Sequence, residues 1–215
     1  MDVRFKVPFK MQVVGPSLSG KSQFVSRFLH HSEDLMDKPP QYILYFYGEY
    51  QPLFTQMSND IPNITFIEGV PDNLDSLVDP SRPGMVIFDD LVSELSNSRF
   101  LANLFTKGSH HKQLNVILIS QNLFQQGREM RTIGLNTEYY IIFKNPRDRS
   151  QITHLAKQTH PGNVKFLQQS YIDATSEPHS YLVIDLKMPT PEQIRIRSNV
   201  FPGEKHYVYL PRKPL

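Results

Sequence analysis

Eight residues near the start of the chain narrow its fold more than any other stretch. Gly15-Pro-Ser-Leu-Ser-Gly20-Lys21-Ser22 fits the pattern GxxxxGK[ST], with an apolar run over residues 9–14 before it and helical spacing over 21–31 after it. A loop in that setting cradles phosphate. Its glycines let the backbone bend until successive N–H groups point at one anion, and the helix N-terminus adds partial positive charge. Gly15 and Gly20 serve that geometry, while Pro16, Ser17, Leu18 and Ser19 carry the remaining backbone of the cradle. Lys21 is placed to reach the β- and γ-phosphates of a nucleotide such as ATP as a mobile charge, and the Ser22 hydroxyl to ligate Mg2+.

The rest of the chain suits an α/β sheet around such a loop. Short apolar runs, rich in β-branched and aromatic residues and bounded by Gly, Pro or Asn, read as strands buried on both faces. They cover residues 9–14, 42–47, 85–88, 116–120 and 139–143, with 64–67 and 181–186 as additions. Helical spacing fills 21–31, 98–107 and 148–158, where Ile152, Leu155 and Ala156 share a face. Strand and helix in alternation imply a mainly parallel sheet flanked by helices. From Ile194 the sequence alternates Ile-Arg-Ile-Arg, passes Pro202-Gly203 and ends in Tyr-Val-Tyr-Leu, which implies a β-hairpin at a sheet edge. With 215 residues, no repeat and single scattered prolines, the expectation is one domain over 1–215, its core about 9–186 and its edge tail 187–215.

Composition removes several chemistries. Cysteine is absent, so disulfides, thiolate metal sites and cysteine nucleophiles are excluded. No apolar run approaches the roughly 18 residues that cross a bilayer, and the opening MDVRFKVPFK lacks a signal peptide's apolar stretch, so an intracellular chain without a membrane partner is expected. A net charge of +2 permits polyanion contact without requiring it.

Two further elements fit the phosphate loop. Met85-Val-Ile-Phe-Asp89-Asp90 puts a carboxylate directly after four apolar residues, as a strand that holds magnesium beside such a loop does. Asp89 is read as the metal's carboxylate, Asp90 as the general base for the attacking water, and Glu94 as a rival base. A strand-end turn capping a helix explains Asp89-Asp90 in purely structural terms. The run Val116-Ile-Leu-Ile-Ser120 ends in Gln121-Asn122, and Gln121 is the candidate sensor of the γ-phosphate; the same amides also suit the start of a loop.

Phosphate loop, acidic strand and Gln-ended strand in this order resemble the FtsK–HerA superfamily of DNA-pumping ATPases. The stretches FDDLVSEL, LFTKGSHHKQLNVILISQNLF and REMRTIGLNTEYYIIFKNPRDRSQITHLAKQ are similar to the compact packaging ATPases of poxvirus-type and Polinton/adintovirus-type viruses and mobile elements, over roughly residues 9–158. The resemblance implies a RecA-like P-loop NTPase fold and a ring of five or six copies using ATP and Mg2+ to drive double-stranded DNA into a capsid. It also implies a capsid or vertex protein as partner, and a host-cell setting in the nucleus, a viral factory or the virion.

One departure stands out. The FtsK branch places a trans-acting arginine just before the Gln-ended strand, where this chain reads Lys107-Gly-Ser-His110-His111-Lys112. Arg128, Arg131, Arg147 and Arg149 are the substitutes, with Arg131 preferred; a solvated arginine is the plainer reading of each. His110 and His111 are adjacent rather than one helical turn apart, which points to an interface or DNA before a metal. Arg147 and Arg149 fit either a phosphate-contacting pore loop or a helix start capped by Asp148. Tyr47, Glu49 and Tyr50 could stack on an adenine, and the terminal cations Lys10, Lys205, Arg212 and Lys213 read as solvated surface. A small nucleotide kinase is the runner-up, opposed by the arginine-poor stretch between Lys21 and Asp89. A nucleotide-gated interaction module with little turnover is the third reading.

Overall fold

Strand residues alternate between two buried faces, and that alternation sets the architecture. The structure is a computed structural model and describes residues 2–71, 73–95, 99–108 and 113–211. Nine strands form one sheet: β1 (Lys10–Val14), β2 (Tyr42–Tyr47), β3 (Ile64–Glu68), β4 (Gly84–Asp89), β5 (Leu114–Ser120), β6 (Tyr139–Phe143), β7 (Tyr181–Asp185), β8 (Ile196–Ser198) and β9 (Tyr207–Val208). Their order is β3-β2-β4-β5-β1-β6-β7-β8-β9; the pairs from β3 to β6 are parallel, and the pairs from β6 to β9 antiparallel. This is the phosphate-loop NTPase fold expected, with the Gln-ended β5 between the loop strand β1 and the acidic strand β4.

Helices cover both faces. Against one lie α1 (Lys21–His30), α2 (Ser32–Leu35) and α3 (Pro52–Asp60). Phe24, Val25, Phe28 and Leu29 of α1 form the stripe that meets Val13, Ile87, Ile119 and Ile141, the odd-numbered strand positions. The even-numbered positions meet α4 (Val92–Leu95), α5 (Arg99–Asn103), α6 (Arg128–Asn136), α7 (Ser150–Thr159) and α8 (Val164–Ala174). Two apolar clusters divide that second face, and between them the buried Gln12 Nε2 donates to Thr137 Oγ1 at 2.7 Å. No described helix is long and apolar enough to cross a membrane.

Differences from the sequence reading have local causes. The helix expected over 98–107 is α only to Asn103, then widens into a π-helical turn over Leu104–Gly108. The Thr106 hydroxyl bonds back to the Ala102 and Asn103 carbonyls at 3.0 and 3.2 Å, and Leu101, Leu104 and Phe105 all reach the core. Ser98 lies outside the described residues. α7 starts at Ser150 with Arg149, not Asp148, at the N-cap position and no side-chain cap there; Asp148, one residue earlier, takes the Ser150 N–H on Oδ1 at 2.9 Å. The tail does form an edge hairpin, β8 on β9, but its arginines are not both solvated. Arg197 pairs in register with Val183 on the α1 face and is 0% exposed. Lys10 is likewise buried, 3.8 Å from Glu138.

Candidate functional site

The loop between β1 and α1 closes over the end of the sheet where the parallel strands finish. Gly20 takes φ 103°, a conformation that L side chains rarely adopt, and turns the chain into α1. A Cβ on Gly15 would come within 2.6 Å of Ser19 Oγ and 2.7 Å of Phe143 Cβ, so glycine is required there. Leu18, at φ 62°, is 94% exposed at the tip of the loop. The loop lines a cleft of about 800 Å3 that also takes in Lys21, Ser22, Glu49, Asp89, Asp90 and His179.

Asp89 ends β4 with the odd-numbered residues, so its carboxylate faces α1 rather than the opposite helices. Ser22 Oγ donates to Asp89 Oδ2 at 3.3 Å, which joins the two expected metal ligands. Tyr45 Oη, on the neighbouring β2, donates to the same oxygen at 2.7 Å. Asp89 is 4% exposed, and burial pushes its carboxyl above the usual carboxylate range, with the Tyr45 and Ser22 hydrogen bonds pulling back. Tyr45 is raised too, by burial and by the Asp89 charge. Lys21 is held below its ordinary value by burial, against the charges of Asp89 and Asp90. Its Nζ donates to Pro16 O at 2.9 Å.

A nucleotide with Mg2+ fits this set. Ser19 Oγ is buried in the cradle with no hydrogen-bond partner, and Asp89 is met by hydroxyls, not by a cation in ion-pair contact among the described residues. No group of three or more His, Cys, Asp or Glu gathers among the described residues. One carboxylate and one hydroxyl suit a hard cation that keeps several waters and takes phosphate oxygens as further ligands.

The other candidates are dispersed. Asp90 lines the cleft and is exposed, at φ 57°. Glu94 is exposed on α4 and does not line it. Gln121 is exposed and lines a narrow crevice on the other flank of Gly15, with Asn145, Asp148 and Gln151. Arg131 is exposed on α6, and Arg128, Arg147 and Arg149 are exposed as well. His110, His111, Lys112, Arg212 and Lys213 lie outside the described residues. The rings of Tyr47 and Tyr50 pack against Phe54 of α3 at 5.1 and 5.7 Å, while Glu49 alone of that trio lines the cleft.

Two contributors escaped the sequence reading. Tyr45 lies inside the apolar run over 42–47 and is fully buried, and only the parallel register of β2 on β4 puts it under Asp89. His179 comes from the turn before β7, where Nδ1 sits 3.2 Å from Ser19 O across 160 residues. Neither spacing nor motif connects His179 to the loop.

No protein-family model matches the chain, and no curated protein matches it. Among solved structures, the chain is similar to the genome packaging NTPase B204 from Sulfolobus turreted icosahedral virus 2 in complex with ATP-gammaS, with TM-score 0.58, 12% identity and 95% and 98% of the two chains covered. The sulfate complex of the same NTPase gives TM-score 0.58 and 10% identity over 99% of each chain. The cytoplasmic domain of the Thermomonospora curvata type VII secretion ATPase EccC matches with TM-score 0.54 and 12% identity, over 85% of this chain and 24% of that one. At these identities the likeness shows fold: the chain is built as a phosphate-loop NTPase, with the mainly parallel, helix-flanked sheet of these ATPases.

Proposed function

We propose that the chain is a Mg2+-dependent ATPase of the FtsK–HerA type that drives double-stranded DNA in a ring of identical copies, packaging a viral or virus-like genome. The observation that carries the reading is the meeting of Ser22 and Asp89 at 3.3 Å in the cleft that Lys21 and the glycine loop line. The solved structures similar to this chain include a genome packaging NTPase in complex with ATP-gammaS, which supports the nucleotide and the process together.

In this reading the backbone of Gly15 to Gly20 holds the phosphates, and Lys21 leaves the Pro16 carbonyl to contact the β- and γ-phosphates. Magnesium, when bound, neutralises charge on the phosphate oxygens. Ser22 and Asp89 hold it, and Tyr45 keeps Asp89 aimed at it. Asp90, at the rim of the same cleft, takes the proton of the attacking water. Glu94 and Gln121 lie outside that cleft, so a base role for one and a sensing role for the other require loop movement on nucleotide binding. Arg131 is the proposed trans arginine, delivered from its exposed place on α6 to a neighbouring copy's cleft.

The test is ATP hydrolysis against protein concentration, with and without long duplex DNA, for wild type and Lys21→Ala. A rate per chain that climbs steeply with concentration and DNA and vanishes in Lys21→Ala supports a ring motor. A linear, DNA-blind rate that depends on an added nucleoside monophosphate moves the chain to the kinases.

A further inference from the structure

Resting on the reading that the cleft takes a nucleoside triphosphate, we propose that its base is held by a wall from three separate parts of the chain: Arg27 on α1, His179 before β7 and Phe201 after β8. The cleft has two ends. Asp89, Asp90 and Ser22 mark the metal and γ-phosphate end, on the β4 side of the loop. The opposite flank, towards β6 and β7, is lined by Phe143, His179, Tyr181, Phe201 and Arg27. A triphosphate with its γ-group beside Asp89 must carry its base out along that second flank.

The groups there are built for a flat aromatic ligand. The Arg27 guanidinium lies 3.9 Å over the Phe201 ring, and its Nη2 is fixed by Glu204 Oε1 at 2.8 Å. A planar cation held flat on one face by an aromatic ring offers stacking to a base on the other, and Arg27 is exposed and borders the cleft. His179 is pressed against the phosphate loop: Nδ1 is committed to Ser19 O at 3.2 Å, and a Cβ on Gly20 would sit 3.3 Å from the His179 ring. It adopts φ 60°, uncommon for a residue with a side chain. The Ser180 hydroxyl, bonded to Glu177 O at 2.7 Å, braces the turn. The imidazole is exposed, with Nε2 uncommitted among the described contacts. Tyr47 and Tyr50, the residues the sequence offers for stacking, spend their rings on Phe54.

This assigns a binding role to the tail, because Phe201 and Glu204 both lie after β8. It also separates base from phosphate recognition, and the experiment uses that separation. Binding of ATP and of inorganic tripolyphosphate, each with Mg2+, is measured by titration calorimetry on wild type, Lys21→Ala, His179→Ala, Arg27→Ala and Arg27→Lys. Stacking of a base is lost with a drop of roughly 5- to 150-fold on alanine substitution. The expected result is such a loss for ATP in His179→Ala and in both Arg27 variants, with tripolyphosphate affinity unchanged. Arg27→Lys keeps the charge but not the plane, so full ATP affinity in that variant overturns stacking on Arg27. Wild-type ATP affinity in both alanine variants overturns the wall altogether. So does equal loss of ATP and tripolyphosphate, which means that the side chains only shape the phosphate loop. Lys21→Ala is expected to lose both ligands; if it loses neither, the nucleotide-site reading fails, and that failure is distinct from a failure of the base wall.

Discussion

Two buried aspartates face the same side of one sheet from its opposite ends, and the fold satisfies them differently. Asp185, at the far end of β7, meets Arg197 Nη1 at 3.2 Å, and the Lys187 N–H and Thr190 hydroxyl at 3.0 Å each. Burial pushes its carboxyl up and the guanidinium pulls against it. Glu138 and Lys187 pair nearby at 3.0 Å, so charge at that end is largely matched within the chain. Among the described residues, the Asp89 carboxylate, at the loop end of β4, accepts hydrogen bonds from the Tyr45 and Ser22 hydroxyls and from no cation. A carboxylate that serves structure is paired with a buried cation, because an unpaired buried charge is expensive. One that serves a ligand keeps its charge for the ligand and takes only orienting hydrogen bonds from the protein.

Substitutions at the two ends should separate in kind as well as size. Asp89→Asn should lower ATP hydrolysis by about 1000-fold, a metal's several kcal/mol of charge stabilisation, while its thermal midpoint stays at or above that of wild type. A midpoint well below wild type would make Asp89 structural and erase the contrast. Asp185→Asn should do the reverse through stability: leaving Arg197 buried and unpaired costs about 3–5 kcal/mol, read as a lower urea midpoint. The double change Asp185→Asn with Arg197→Met should recover part of that loss, since no unpaired charge is then buried and the Asn oxygen still serves the Lys187 N–H and Thr190 hydroxyl.

Tyr45→Phe sharpens the same point with a smaller effect. It keeps the ring among Phe54 and Phe66 and removes only the 2.7 Å bond to Asp89. Weakening of Mg2+ by about 10- to 100-fold is expected, seen as a shift in the Mg2+ dependence of hydrolysis with little change in melting. Unchanged Mg2+ dependence would reduce Tyr45 to core packing.

The smallest effect concerns pH. Because burial holds the Asp89 carboxyl above its ordinary value, the folded protein retains that proton in a pH window where the unfolded chain has lost it. Ionisation therefore costs stability as pH rises through that window, and Asp89→Asn escapes the cost. The stability gap between variant and wild type should open with rising pH, while Mg2+ binding to wild type should weaken as pH falls, from above the range of an exposed carboxylate. A gap that closes with rising pH would reverse the sign argued for Asp89.

The sheet and the placement of the phosphate loop beside Asp89 were legible in the sequence for identifiable reasons. Asp89 directly follows the apolar run of β4, whereas β1 carries Lys10 and Gln12 among its buried residues, so the glycine and lysine spacing locates the phosphate loop. α8 carries a stripe, Leu167, Tyr171 and Ala174, at helical spacing, and α3 begins on Pro52, a start signal. The π-helical turn after Asn103 left no such mark, because it depends on how three apolar side chains reach one core.

By itself, then, the sequence determined the strand–loop–helix cradle, the residue types at its acidic end and the parallel order that follows from alternating elements. These are short-range matters of backbone freedom, hydrophobic period and chain spacing. The tertiary structure decided which side chains meet across long stretches of chain. It brought Tyr45 under Asp89 through strand register and His179 onto Ser19 across 160 residues. It also drew Arg197 into the core, from an Ile-Arg-Ile-Arg alternation that implied only an edge hairpin. Contacts of that kind arise from the packing of both sheet faces at once, which no local period encodes.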